Sequence, residues 1–236
     1  MVRVGNSLAT GSAPFAMSEQ HMVKVKTTLP TSPLLPNSER KPIRTERLIL
    51  RPFAEDDLDD IWTMRTQPEV MNFTATGRIE ADKKETWAFM ARSMPPNDLT
   101  SYNYVICLAS TGELIGTGGA RGVGLSGWPE IGYMFKREHW GNGYATEFLR
   151  SLVDNWRTLP RSEIELEVDG RSIDGAGEVP ESLKAVIDEN NLGSRRVLEK
   201  SGFREYIRWT EPDSREGITA DVALVGFVLP LVSKKG

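Results

Sequence analysis

Cysteine is almost missing from this chain. Among its 236 residues Cys107 stands alone, which excludes a disulfide framework and any zinc site built from several thiolates. Histidine is nearly as scarce, and His21 and His139 are not placed to suggest a metal site. No apolar run approaches the roughly 18 residues of a membrane span. Base is in short supply too: 29 Lys and Arg against 33 Asp and Glu leave a net charge of −4, which argues against an electrostatic nucleic-acid binder. The first residues also lack the apolar core of a secretory signal. What is there is ordinary for a globular protein: 39% hydrophobic and 26% charged residues, with enough chain to bury a core. These features point to a soluble enzyme or binding domain of a reducing, cytoplasmic compartment.

Residues 1–40, rich in Ser, Thr, Pro and Gly and without sustained periodicity, predict a flexible N-terminal tail whose targeting role stays open. Residues 41–236 predict a single α/β domain. A strand is expected over 47–51, then a helix over 55–65 that opens on Glu55, Asp56 and Asp57, where a helix N-terminus welcomes negative charge. A second helix is expected over 80–94, with Trp87, Met90, Ala91 and Met94 on one side. A β-rich stretch over 102–108, its hairpin partner over 114–120 and a stretch over 130–135 set off by a glycine-rich loop read as three strands. The clearest helix follows, where Ala145, Phe148, Leu149, Leu152, Val153 and Trp156 step by three and four. Beyond a short extra strand over 163–168, residues 169–182 read as an insertion or long loop. A strand over 183–188, a helix over 191–200 capped by Asn191 and stopped at Gly202, and strands over 204–210 and 219–227 complete a mixed sheet.

Two glycine-rich segments compete for the role of an anion site. Gly122-Val123-Gly124-Leu125-Ser126-Gly127 spells the dinucleotide fingerprint, but Trp128-Pro129 and a strand follow it, so no helix N-terminus meets a phosphate. A plain loop between antiparallel strands is the better reading, and a nicotinamide oxidoreductase is set aside. The second segment, Trp140-Gly141-Asn142-Gly143-Tyr144-Ala145, joins the 130–135 strand to the clearest helix. Its glycines let backbone N–H groups turn outward, and the helix adds a positive dipole end: a cradle suited to a pyrophosphate.

Four ordered segments resemble the GNAT acetyltransferase superfamily. Trp140 to Glu147 is similar to its acetyl-coenzyme A pyrophosphate loop, with Trp140 in place of the usual Gln or Arg. Thr45-Glu46-Arg47-Leu48-Ile49-Leu50-Arg51-Pro52, Gln67-Pro68-Glu69-Val70-Met71 and Asn191-Leu192-Gly193-Ser194-Arg195-Arg196-Val197-Leu198-Glu199-Lys200-Ser201-Gly202-Phe203 resemble segments of its ribosomal-protein N-acetyltransferase branch. The resemblance spans roughly residues 42–228 and leaves 169–182 unmatched. It implies a mixed central sheet with splayed central strands (130–135 and 183–188), flanking helices, and acetyl-CoA as co-substrate without a metal. The pantetheine arm would meet Met134 and Phe135 through main chain, and the pyrophosphate would meet the loop from Trp140 and Gly141 through Asn142, Gly143, Tyr144 and Ala145 to Thr146. Asn191 and Ser194 would approach the thiol end, and Arg196 or Arg195 an outer phosphate.

The implied reaction moves an acetyl group to a primary amine, on a small molecule or a protein N-terminus, by direct transfer. Glu130 is the candidate base, acting through water, and a main-chain N–H near Met134 would serve the oxyanion. Leu198 stands where many members carry a tyrosine acid, so Ser194 or water would have to attend the leaving thiolate. That departure keeps a non-catalytic coenzyme A binder as the alternative. Trp62, Asn72, Phe73 and Trp87 are acceptor-side candidates, with core packing the plainer reading for the tryptophans. Neither the acceptor nor the oligomeric state follows from the sequence, although homodimers are common in that branch.

Overall fold

A computed structural model describes residues 21–122, 127–215 and 218–231. In chain order the elements are β1 Met22–Pro30, β2 Ile43–Arg44, β3 Leu48–Arg51, α1 Leu58–Arg65, α2 Pro68–Met71, α3 Lys83–Ala91, β4 Ser101–Leu108, β5 Leu114–Arg121, β6 Glu130–Phe135, α4 Tyr144–Trp156, β7 Arg161–Asp169, β8 Ser182–Asp188, α5 Leu192–Lys200, β9 Arg204–Pro212 and β10 Asp221–Pro230. Eight strands form one mixed sheet in the order β2-β3-β4-β5-β6-β8-β10-β9, and β1 with β7 forms a two-stranded sheet beside it. Every pairing is antiparallel except β6 with β8. None of the described helices is long and apolar enough to cross a membrane.

The sheet is covered on both faces. On one, Phe148, Leu149, Leu152 and Trp156 of α4 and Leu198 of α5 are fully buried against Ile131, Tyr133 and Phe135. On the other, Ile61 and Met64 of α1 and Met90 of α3 pack over Val105, Leu114 and Met134. Cys107 lies in that second cluster as a buried, small apolar side chain, its thiol pushed up by burial. Of the two tryptophans given to the core, Trp62 is half-buried and Trp87 is exposed.

The expected tail to residue 40 is corrected from residue 22 onward; residues 1–20, and residues 123–126 of the fingerprint string, lie outside the described residues. Val25, Thr27 and Leu29 alternate inward along β1, toward Leu166 and Val168 of β7 and Val228 of β10. On the outward face Lys24 opposes Glu167 and Lys26 opposes Glu165, so each cross-strand pair joins opposite charges. β7 thus runs further than the short extra strand expected, because β1 pairs along its whole length. The 169–182 insertion docks on the free edge of β1, where Lys26 N–H donates to Gly177 O (2.8 Å) and Val179 N–H to Lys26 O (2.9 Å). Pro68, expected only to end the first helix, also opens α2 at its first position, where its missing N–H costs nothing.

What positions the site is the join between β6 and β8. β6 pairs with β5 over six residues and β8 with β10 over seven, yet β6 and β8 share a single pair, Glu130 with Lys184. Lys184 N–H donates to Pro129 O (2.9 Å), and the two strands part after it. If β1 is structural as described, Leu29→Ala, at a side chain only 3% exposed, lowers stability by about 2–4 kcal/mol. Urea unfolding would read this as a lower midpoint at unchanged slope; an unchanged midpoint would show that β1 contributes nothing.

Candidate active site

The parted strands leave an edge of β6 with main-chain groups to offer. Lys136 N–H donates to Ile115 O, and the register continues without a bulge through 134/117, 132/119 and 130/121. In an antiparallel ladder the intervening residues, Ile131, Tyr133 and Phe135, turn their amides and carbonyls to the opposite edge. Ile131 lies beside the one β6–β8 pair, so Tyr133 and Phe135 face the gap. Met134, expected to meet the cofactor through main chain, instead pairs with Thr117, and its side chain lies on the other face. This corrects the main-chain contact given to Met134 itself; the N–H groups near it that face the gap are those of Tyr133 and Phe135.

The loop after β6 is built to keep its amides bare. A 3₁₀ turn over Arg137–His139 leads to Trp140, whose indole N–H donates to Phe135 O (2.9 Å) and pins the loop to the strand end. Gly141 and Gly143 both sit at φ +80°, a region that favours glycine, and Gly143 is the N-cap of α4 without a capping side chain. Trp140 N–H is spent on Arg137 O, and those of Thr146 and Glu147 on Gly143 O. Among the described residues, the amides of Gly141, Asn142, Gly143, Tyr144 and Ala145 have no protein acceptor. Five free donors at a helix N-terminus fit a pyrophosphate.

Glu147, one turn into α4, is an anion close to this cradle. Thr45 Oγ1 (2.5 Å), Arg47 N–H (3.0 Å) and Arg47 Nε (2.7 Å) donate to its carboxylate and hold it away from the free amides. Burial pulls the Glu147 carboxyl upward, but the hydrogen bonds from Thr45 and Arg47 win and keep it below the usual range. Arg47 Nη1 also donates to Asn142 O (3.0 Å), and its guanidinium covers the Tyr144 ring at 4.8 Å. The Thr45–Arg47 segment therefore braces the loop across about a hundred residues of chain, a role that nothing in its alternating sequence signals.

A cavity of about 600 Å³ opens between this loop and the start of α5. From the β6 side Phe135, Trp140, Gly141, Gly143, Tyr144, Ala145 and Thr146 line it; from the α5 side Asn191, Ser194 and Arg196 do. Asn142 does not line it: its amide nitrogen donates to the His139 and Trp140 carbonyls, within the loop. Arg195 turns away to Glu205 (3.0 Å), which leaves Arg196 as the cavity's arginine. Asn191 acts as the N-cap of α5, its Oδ1 accepting from Ser194 N–H (3.0 Å). Phe73 joins the lining, whereas Asn72 does not.

A second, smaller cavity of about 70 Å³ lies on the opposite face, and Tyr133 forms a wall of both. Its ring packs edge-on against Phe135 and Phe148, with centroids 6.3 and 6.1 Å away. The hydroxyl is buried and makes no hydrogen bond of normal geometry. Burial pushes the phenol well above its ordinary value, with Ser194 opposing the shift. Sequence reading passed over Tyr133 because a tyrosine in a β-strand is ordinary. Glu130 lines neither cavity; it stands at the closed end of the gap, beside Lys184 Nζ (3.4 Å) and across from Arg121.

This geometry agrees with comparisons to known proteins. Residues 47–204 match the Acetyltransferase (GNAT) domain family. An uncharacterised N-acetyltransferase, p20 of Bacillus licheniformis, is 33% identical over 136 residues, which cover 53% of this chain and 71% of p20. The fold resembles a GNAT-family acetyltransferase from Bacillus anthracis (TM-score 0.61, 19% identity, 80% of this chain and 98% of that one). It also resembles spermidine N-acetyltransferase from Vibrio cholerae, solved in complex with CoA and spermine (TM-score 0.57, 16% identity, 78% of this chain and 96% of that one). With a family match over well more than half its length, and with the parted strands and bare loop amides described above, this chain belongs to the GNAT acetyltransferase family.

Proposed function

We propose that this protein is an acetyl-CoA-dependent N-acetyltransferase that transfers directly to a primary amine in a cytoplasmic setting. The observation that carries the reading is the row of five amides, Gly141 to Ala145, without internal acceptors, at the mouth of a gap that exposes the Tyr133 and Phe135 main chain. Those amides would hold the pyrophosphate, and the exposed edge of β6 the pantetheine arm. Arg196, on the far wall, is placed for a further phosphate.

When bound, acetyl-CoA supplies a thioester carbonyl open to attack and a thiolate that leaves readily. The chain's part is to bring a neutral amine to that carbonyl, take up the amine's proton as the C–N bond forms, and stabilise sulfur as the C–S bond breaks. Glu130 shares the sheet face of Gly132 and Met134, both of which line the smaller cavity, so it can take the proton through water. At the leaving sulfur, Tyr133 is the donor we infer. Its buried hydroxyl makes no regular hydrogen bond, its ring is on the face of the larger cavity, and Ser194, which also lines that cavity, stands beside it. With Leu198 fully buried in the core, no side chain at that helix position reaches the gap.

Replacing Gly143 by valine would force φ out of the left-handed region and swing the first amides of α4 away. Calorimetry should then show coenzyme A binding about tenfold weaker or worse; an unchanged affinity would dismiss the cradle. Tyr133→Phe keeps the ring packing and removes only a hydroxyl that makes no regular hydrogen bond. It is expected to lower kcat by about 10²-fold at constant KM for acetyl-CoA, without loss of stability. Retained kcat would reduce Tyr133 to a cavity wall.

A further inference from the structure

The smaller cavity has a charge that the overall acidity of the chain conceals. Three arginines, Arg65 from α1, Arg92 from the end of α3 and Arg121 from the end of β5, converge on it, and no carboxylate lines it among the described residues. Arg92 lies close enough to both of the others to lower their proton affinity. Arg65 is fixed and neutralised: its Nε bonds Glu80 (2.5 Å), its guanidinium stacks over Phe89 at 3.9 Å, and Glu80 also accepts from Thr86. Arg121 is different. It is half-buried, none of its nitrogens meets an acceptor among the described residues, and Glu130 across the ladder, which faces it, is in contact with Lys184. Burial pushes Arg121 down to about 10, so the group stays cationic near neutrality.

A guanidinium that is partly desolvated and without an anion is costly to leave unmatched, and its planar donors suit a carboxylate or phosphonate. Gly132, which adds no side chain, lines the cavity beside Met134, and the volume suits one small charged group rather than an extended chain. A polyamine finds no carboxylate here and meets like charge instead. On the acetyltransferase reading above, we propose that this cavity is an anion subsite of the acceptor site, and that the acceptor is a small amine bearing a carboxylate or phosphonate close to its nitrogen. The anion docks at Arg121, and the amine then points toward Tyr133 and the larger cavity. The same positive field lowers the proton affinity of the incoming ammonium and so raises its reactive, neutral fraction.

Thiol release from acetyl-CoA, measured with matched acceptors, tests this. An α-amino acid is compared with its decarboxylated amine, aminoethylphosphonate with ethylamine, and a linear triamine is run beside them. The anionic member of either pair is expected to have a kcat/KM about tenfold or more above its neutral partner, and the two pairs separate carboxylate from phosphonate recognition. Arg121→Gln should erase that preference by raising KM for the anionic acceptor alone, and Arg121→Lys should restore part of it. Coenzyme A binding, followed by thermal shift, confirms that each variant is folded. If the neutral amine or the triamine is acetylated as well as the anionic acceptors, the anion subsite is overturned while acetyl transfer stands. If no amine is acetylated although coenzyme A binds, acetyl transfer itself is overturned, and the subsite with it.

Discussion

The parting of β6 from β8 after one pair is the constraint on which the molecule depends. Each strand is fully engaged on its other side, β6 by β5 and β8 by β10, so the sheet consists of two sound halves joined at one end. Unpaired strand edges are ordinarily a liability in water. Here the exposed edge is confined to the stretch around Tyr133 and Phe135 and backed by a T-shaped cluster of Tyr133, Phe135 and Phe148. The Phe135 carbonyl is closed off by the Trp140 indole. The residue that departs from the family's usual Gln or Arg thus ties the strand end to the glycine loop.

Charge is distributed to match. The chain is acidic overall, yet its two cavities are cationic or lined by amide donors. Glu147 is an anion beside the free loop amides, and the bracing from Thr45 and Arg47 both neutralises it and holds the loop's shape. The smaller cavity carries Arg121, which meets no acceptor among the described residues, and on the other face of the sheet the buried Tyr133 hydroxyl makes no regular hydrogen bond. Unspent polar groups of this kind are destabilising in a folded chain and gather where a ligand completes them.

The local parts of this arrangement were legible in the sequence. β6 runs over the residues expected for it after the glycine-rich loop, α4 follows its apolar stripe, and Asn191 and Gly202 bound α5 as their chemistry requires. The cradle was legible because Gly141 and Gly143 stand between a strand and a helix. What was missed depends on partners distant in the chain. β1 looked like tail because its few apolar residues find cover only at β7, some 140 residues later. Of Met134 and Phe135, expected to meet the cofactor through main chain, only Phe135 faces the gap, with Tyr133, since strand parity depends on which neighbour the ladder bonds to.

By itself, then, the sequence determined most of the elements, the glycine turn before α4 and the family, because periodicity, capping and glycine placement act within a few residues. Only the tertiary structure decided which β6 amides face the gap, that Arg195 turns outward while Arg196 faces in, and that Arg65, Arg92 and Arg121 meet in one small cavity. Those outcomes depend on sheet register and on the approach of α1, α3 and β5 to one another. Contacts of that kind are made across the fold, and no local pattern records them.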